Sequence, residues 1–241
     1  MLVDTATFVV IALVGPLIRT RRGSREAIDE SGGRGGLAIV RADGFLLRLF
    51  VLLGLFVLLG SMVNVMDVFL VRETLGASTL WYGVCGAAFA LGALGGALLG
   101  GRLQGRAALV RGFVGSAIVL ACGLAAFAAV PSVGWLLPVA VVAGASNGVL
   151  NVTLGSLVMG RANAAERGRV SAVLSGVAAA TQLSAYVISG ALAVALTPRE
   201  IFALAGALGL LAPLLLGRGL LRATRSHPAA LIPTSVVASA G

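Results

Sequence analysis

Hydrophobic and polar positions do not alternate along this chain; they segregate. Apolar runs of about twenty residues are separated by short gaps that hold nearly all the charge. About 20 apolar residues, rising 1.5 Å each, are what a helix needs to cross a bilayer core. Six such runs fall at 46–71, 82–101, 112–130, 135–159, 170–196 and 201–217. None shows the period-two alternation of a membrane-barrel strand. The pattern predicts an all-α, polytopic membrane protein built on a six-transmembrane-helix bundle. A shorter apolar stretch at 3–18 holds Asp4 and has a basic cluster after it, and residues 1–18 read as a truncated transmembrane helix.

The gaps set the domain plan. Residues 19–43 are polar and rich in Gly and charge, which predicts a flexible cytoplasmic linker. The bundle is expected over 44–217, and 218–241 as a disordered cytoplasmic tail. Six spans divide into two sets of three that start on opposite sides, the topology of an inverted repeat.

Composition sharpens the class. Only 11% of the residues are charged, with 59% hydrophobic and mean hydropathy +1.04. A soluble domain carries about 25% charge. The net charge of +9 forms no patch or stripe, so no nucleic-acid partner is expected. All basic residues are Arg, and they are unevenly placed. Sixteen occupy alternate gaps and their flanks (Arg19 to Arg48, Arg102 to Arg111, Arg161 to Arg169, Arg218 to Arg225), leaving only Arg72 and Arg199 for the others. Positive residues stay cytoplasmic, which predicts a cytoplasmic C-terminus in a cell inner membrane. Abundant Ala, Gly, Val and Arg suggest a GC-rich bacterial genome.

Several chemistries fall away. The single histidine, His227, lies in the tail, so no Ser–His dyad and no H-E-x-x-H motif fits within the membrane. Without lysine there is no phosphate-binding G-x-x-x-x-G-K-[ST] loop. Cys85 and Cys122 sit inside apolar runs and read as small packed hydrophobes. No enzyme activity, cofactor or metal is expected.

Polar residues inside the spans are the candidate chemistry. Asn147 and Asn151 lie four apart on one helix face near mid-span, as do Gln182 and Tyr186 on the next helix. Such amides either bond neighbouring helices together or line a wet chamber. Asp67 lies about one turn from the outer end of its run, three residues after Asn64. It either reaches interfacial water, pairs with Arg72, or serves a proton or substrate. Gly92, Gly96 and Gly100 form a seam at four-residue spacing that permits close helix approach, and Gly144 and Gly148 form a weaker one.

Three segments resemble the major facilitator superfamily, most closely its drug and siderophore efflux group, which includes macrolide-efflux and enterobactin-exporter-like proteins. NGVLNVTLGSLVMGRANAAERGRVSAV (147–173) resembles the tenth helix and the loop into the eleventh, with Arg167, Gly168, Arg169 and Val170 matching its Arg-Gly-Arg-Val. VFLVRETLGASTLWYG (68–83) resembles the outer end of the seventh helix and its following loop. GALLGGRLQGR (96–106) resembles the cytoplasmic Gly-x-x-x-Asp-Arg-x-Gly-Arg loop through Arg102, Gly105 and Arg106, with Gly101 where the family has its acid. The resemblance covers about 3–222 and implies half of a twelve-helix fold: the end of the sixth helix, then the seventh to twelfth. It implies alternating-access export of small apolar compounds, coupled to protons. It also implies a missing N-terminal six-helix half, supplied in cis or trans or replaced by a second copy; the alternative is a truncated remnant that does not transport. In the family the tenth and eleventh helices face the cavity, which makes Asn147, Asn151, Gln182 and Tyr186 candidate substrate contacts; Asn64 and Asp67 join them as polar residues inside the first full span. The family's eighth helix packs on the fifth, so the Gly92–Gly96–Gly100 seam is expected to be partly orphaned.

Overall fold

The computed structural model describes residues 32–161 and 167–225. The chain divides into two units, Met1–Gly32 and Gly33–Gly241. The truncated helix expected over 1–18, most of the linker and the tail from 226 onward lie outside the described residues. Seven helices fill the described part, with no strand. They are α1 (Gly32–Ala42), α2 (Gly44–Phe69), α3 (Thr79–Gly101), α4 (Arg106–Ala129), α5 (Val133–Arg161), α6 (Arg167–Leu192) and α7 (Pro198–Arg225). A π-helical turn, Leu70–Thr74, ends α2. The last six helices are each long and apolar enough to cross a membrane, within a few residues of the six expected runs. This is an all-α, multi-pass membrane fold.

Two expectations about the ends need correction. Part of the expected flexible linker is helix: α1 forms despite four glycines. Its Gly36 is pressed against α6, where a methyl would meet Val173 Cγ2 at 2.7 Å and the Arg169 carbonyl oxygen at 2.9 Å. Helix α7 also runs on to Arg225, eight residues past the expected end of the bundle, because residues 218–225 carry Leu and Ala with no helix breaker except Gly219.

Local sequence explains the helix boundaries. The Asp43 carboxylate accepts the Phe45 N–H at 2.9 Å and caps α2. Gly105 turns the chain into α4 at φ +80°, a conformation that favours glycine. Thr197 and Glu200 form a capping box at α7, with Pro198 at its first position: Thr197 N–H donates to Glu200 Oε2 at 2.7 Å, and Glu200 N–H to Thr197 Oγ1 at 3.4 Å. The Arg199 guanidinium donates to the Val130 carbonyl oxygen at the end of α4, at 3.1 Å.

The packing has an internal symmetry. Helix α3 packs on α5 as α2 packs on α6; α4 packs on α5 as α2 packs on α7; and α4 packs on α7. Exchanging the sets α2–α4 and α5–α7 leaves this pattern unchanged. Since α2 and α5 start at opposite ends of the bundle, the exchange inverts direction, as the two-times-three topology requires.

The glycine seam has a partner within this chain. A methyl on Gly92 would overlap the Val141 carbonyl oxygen, and one on Gly96 that of Ala145. From α5, methyls on Gly144 and Gly148 would overlap the Phe89 and Ala93 carbonyl oxygens. Gly100 closes the seam against Val152, 3.2 Å from its Cβ. The expectation of a partly orphaned seam is therefore wrong: α5 carries the complementary glycines, and the two backbones interlock. Dispersion contacts between backbones, summed over five positions, supply the attraction that lipid-solvated helices otherwise lack.

Candidate binding cavity

Helices α2 and α5 barely touch along their lengths. The space between them, walled also by α3, α4, α6 and α7, is a cavity of about 550 Å³. It occupies the half of the bundle away from the arginine-rich gaps. Its walls are mostly apolar. Phe127 and Phe202 pack with ring centroids 5.5 Å apart, and both are buried. Phe56, Phe89 and Tyr82 add further rings.

All six polar residues singled out from the sequence lie on this cavity: Asn64 and Asp67 from α2, Asn147 and Asn151 from α5, Gln182 and Tyr186 from α6. The amides are tied down within their own helices. Asn151 Nδ2 donates to the Asn147 carbonyl oxygen at 2.8 Å and to Asn147 Oδ1 at 3.0 Å. Gln182 Nε2 donates to the Tyr186 hydroxyl at 2.9 Å. Neither pair bonds a neighbouring helix among the described residues. The Asn147 amide N–H₂ and the Asn151 Oδ1 keep their hydrogen-bonding capacity for whatever occupies the cavity. Ser189 does bridge helices, donating to the Met62 carbonyl oxygen of α2 at 3.3 Å.

Asp67 forms no ion pair with Arg72 and no hydrogen bond among the described residues; it stands on the cavity wall near Cys85. Cys85 is buried, as a packed hydrophobe should be, whereas Cys122 is exposed on α4, against the expectation that it is packed.

The arginine-rich end of the bundle, away from the cavity, carries a cluster that the sequence reading missed. Arg161, at the end of α5, pairs its Nε with Asp43 Oδ2 at 2.6 Å. The guanidinium groups of Arg106 and Arg161 lie over the buried Phe45 ring, 4.5 and 5.5 Å from its centroid. Helices α2, α4 and α5 are thereby joined at that end of the bundle. Partial burial pushes the Asp43 carboxyl up, but the Arg161 hydrogen bond, the Phe45 N–H and the Arg161 charge outweigh it and hold the group below its ordinary value of 3.8. Asp43 before an apolar run was legible as a helix cap; its pairing with a residue 118 positions away was not. Among the loop residues matched by resemblance, Arg106 belongs to this cluster, Arg102 is exposed at the end of α3, and Gly168 and Arg169 are exposed at the start of α6.

The family model of the Major Facilitator Superfamily matches the chain in two overlapping stretches, residues 2–180 and 49–238. The chain belongs to the major facilitator superfamily. No curated protein and no solved structure matches it. Major facilitator proteins are membrane transporters, and a multi-pass bundle in a lipid bilayer handling a small-molecule substrate follows from that membership.

Proposed function

We propose that this chain is one six-helix bundle of a major facilitator exporter that moves small apolar compounds, of drug or siderophore type, by proton-coupled alternating access. The observation that carries the reading is the convergence of six polar side chains from α2, α5 and α6 on one apolar cavity of about 550 Å³. That volume lies within the range of small-molecule sites. With the arginine-rich gaps in the cytoplasm, the cavity lies in the outer half of the bundle and the Asp43–Arg161–Phe45–Arg106 cluster joins α2, α4 and α5 at the inner end. Export then requires a path through that inner end and a second six-helix bundle, on the same chain, another chain or a second copy, to complete the conduit. Helix α6 offers the surface for it. Only Val170, Ala185 and Ser189 of α6 are buried, and its open surface mixes Leu183, Val187 and Ile188 with Ser175, Ser184 and Gln182, a surface that a second bundle can cover.

The test is efflux from cells expressing the chain together with a matching N-terminal six-helix half. Asn151→Leu removes both donors to Asn147 and is expected to reduce efflux roughly tenfold, the equivalent of one lost polar contact. Unchanged efflux in that variant removes Asn151 from the site.

A further inference from the structure

We infer that the cavity selects an amphipathic organic cation, an apolar body carrying one positive charge, with Asp67 as its counter-ion. The inference rests on reading the cavity as the substrate site and adds the sign of the substrate's charge.

Three observations converge on that sign. Among the described residues Asp67 is the only charged one lining the cavity, in a protein whose arginines outnumber its acids two to one. No described arginine lies on the cavity wall, and Arg72, five residues away, is exposed and makes no ion pair with Asp67. The four amides cannot neutralise a carboxylate by charge, and two of them already spend their N–H groups on Asn147 and Tyr186. A carboxylate at membrane depth without a partner is costly. A bound cation relieves that cost, and an anion adds repulsion in a medium of low dielectric.

The remaining wall suits such a ligand. Phe56, Phe89 and Tyr82 line the same chamber as Asp67, and aromatic rings attract cations as well as apolar bodies. The catecholate anions typical of siderophore chemistry fit this electrostatics poorly, so the proposal favours the drug-like arm of the function above over the siderophore arm.

The test uses two ions of one shape and opposite charge, tetraphenylphosphonium and tetraphenylborate. Each is measured by equilibrium dialysis against the purified full chain in neutral detergent, with protein-free micelles as the reference. The phosphonium is expected to bind at least roughly tenfold more tightly than the borate, as one unscreened charge contact implies. Asp67→Asn should remove that preference and Asp67→Glu should keep it, while thermal unfolding reports that each variant is folded. Asn151→Leu should weaken both ions. Equal or tighter binding of the borate overturns the proposal, as does a phosphonium affinity untouched by Asp67→Asn. If both ions bind without charge preference yet both respond to Asn151→Leu, the cavity survives as the site and the cation proposal falls. If neither ion binds, or neither responds to any of these variants, the cavity reading and the cation proposal fall together.

Discussion

The crossings α3 on α5 and α2 on α6 are equivalent under the internal symmetry, yet they are built differently. At the first, five glycines let the two backbones touch, and a single added methyl on Gly96 has only a carbonyl group to meet. At the second, the one glycine facing the partner is Gly54, where a methyl would lie an ordinary 3.7 Å from Thr181 Oγ1 and 3.9 Å from Val177. The rest of that contact is Leu, Val and Phe from α2 against a mostly exposed α6. The difference teaches that this fold spends its close packing on the side away from α6. The looser crossing is the one that brings Gln182 and Tyr186 to the cavity.

The comparison can be broken most directly by adding one methyl to each crossing. Gly96→Ala is expected to cost about 3 kcal/mol, the upper end for overpacking against atoms that cannot yield. Gly54→Ala is expected to be neutral or to stabilise by up to ~1 kcal/mol through helix propensity. Thermal unfolding of both variants in the same detergent checks this, and similar melting temperatures would erase the distinction.

Cross-links sharpen it. In a background with Cys85→Ala and Cys122→Ala, the pair Gly100→Cys and Val152→Cys should form a disulfide across α3 and α5 without loss of efflux, since these helices are already fixed to each other. The pair Gly54→Cys and Thr181→Cys across α2 and α6 should lower efflux roughly tenfold or more, and a reductant should restore it. Equal tolerance of both links would mean that α6 does not move.

The smallest expected effect concerns the arginine-rich end. Asp43→Asn loses the Arg161 ion pair while its amide oxygen can still cap α2, for up to about 1 kcal/mol at neutral pH. Because the folded-state value of Asp43 is depressed, its contribution is present above 3.8 and lost as pH falls below that, through the folded value. Stability of the native chain should therefore drop toward that of Asp43→Asn on acidification; a constant gap between the two from neutral to about pH 3 would assign no pH-dependent stability to Asp43.

Span number, boundaries and class were legible because bilayer thickness imposes a length and an apolar content that few other structures share. The candidate polar residues were legible for the same reason: Asn147, Asn151 and Asp67 are conspicuous against so apolar a background. Their partners were not. Whether Asn151 bonds across helices or along its own depends on how α5 is rotated, and hydropathy says nothing of rotation when a helix is apolar all round. The seam at Gly92, Gly96 and Gly100 was visible, but its partner was sought outside the chain, although Gly144 and Gly148 repeat the same spacing. Helix α1 was hidden by glycines whose compensation, the close approach of Gly36 to α6, exists only in three dimensions.

The five interlocked glycines also determine how the molecule can deform. A slip of α3 along α5 by even one residue, about 1.5 Å, would drive Cβ atoms of neighbouring residues into opposing carbonyl groups. The two helices are keyed like a spline on a shaft, and they swing only together. Whatever force arrives at one end of this ~40 Å lever is delivered undiminished at the other.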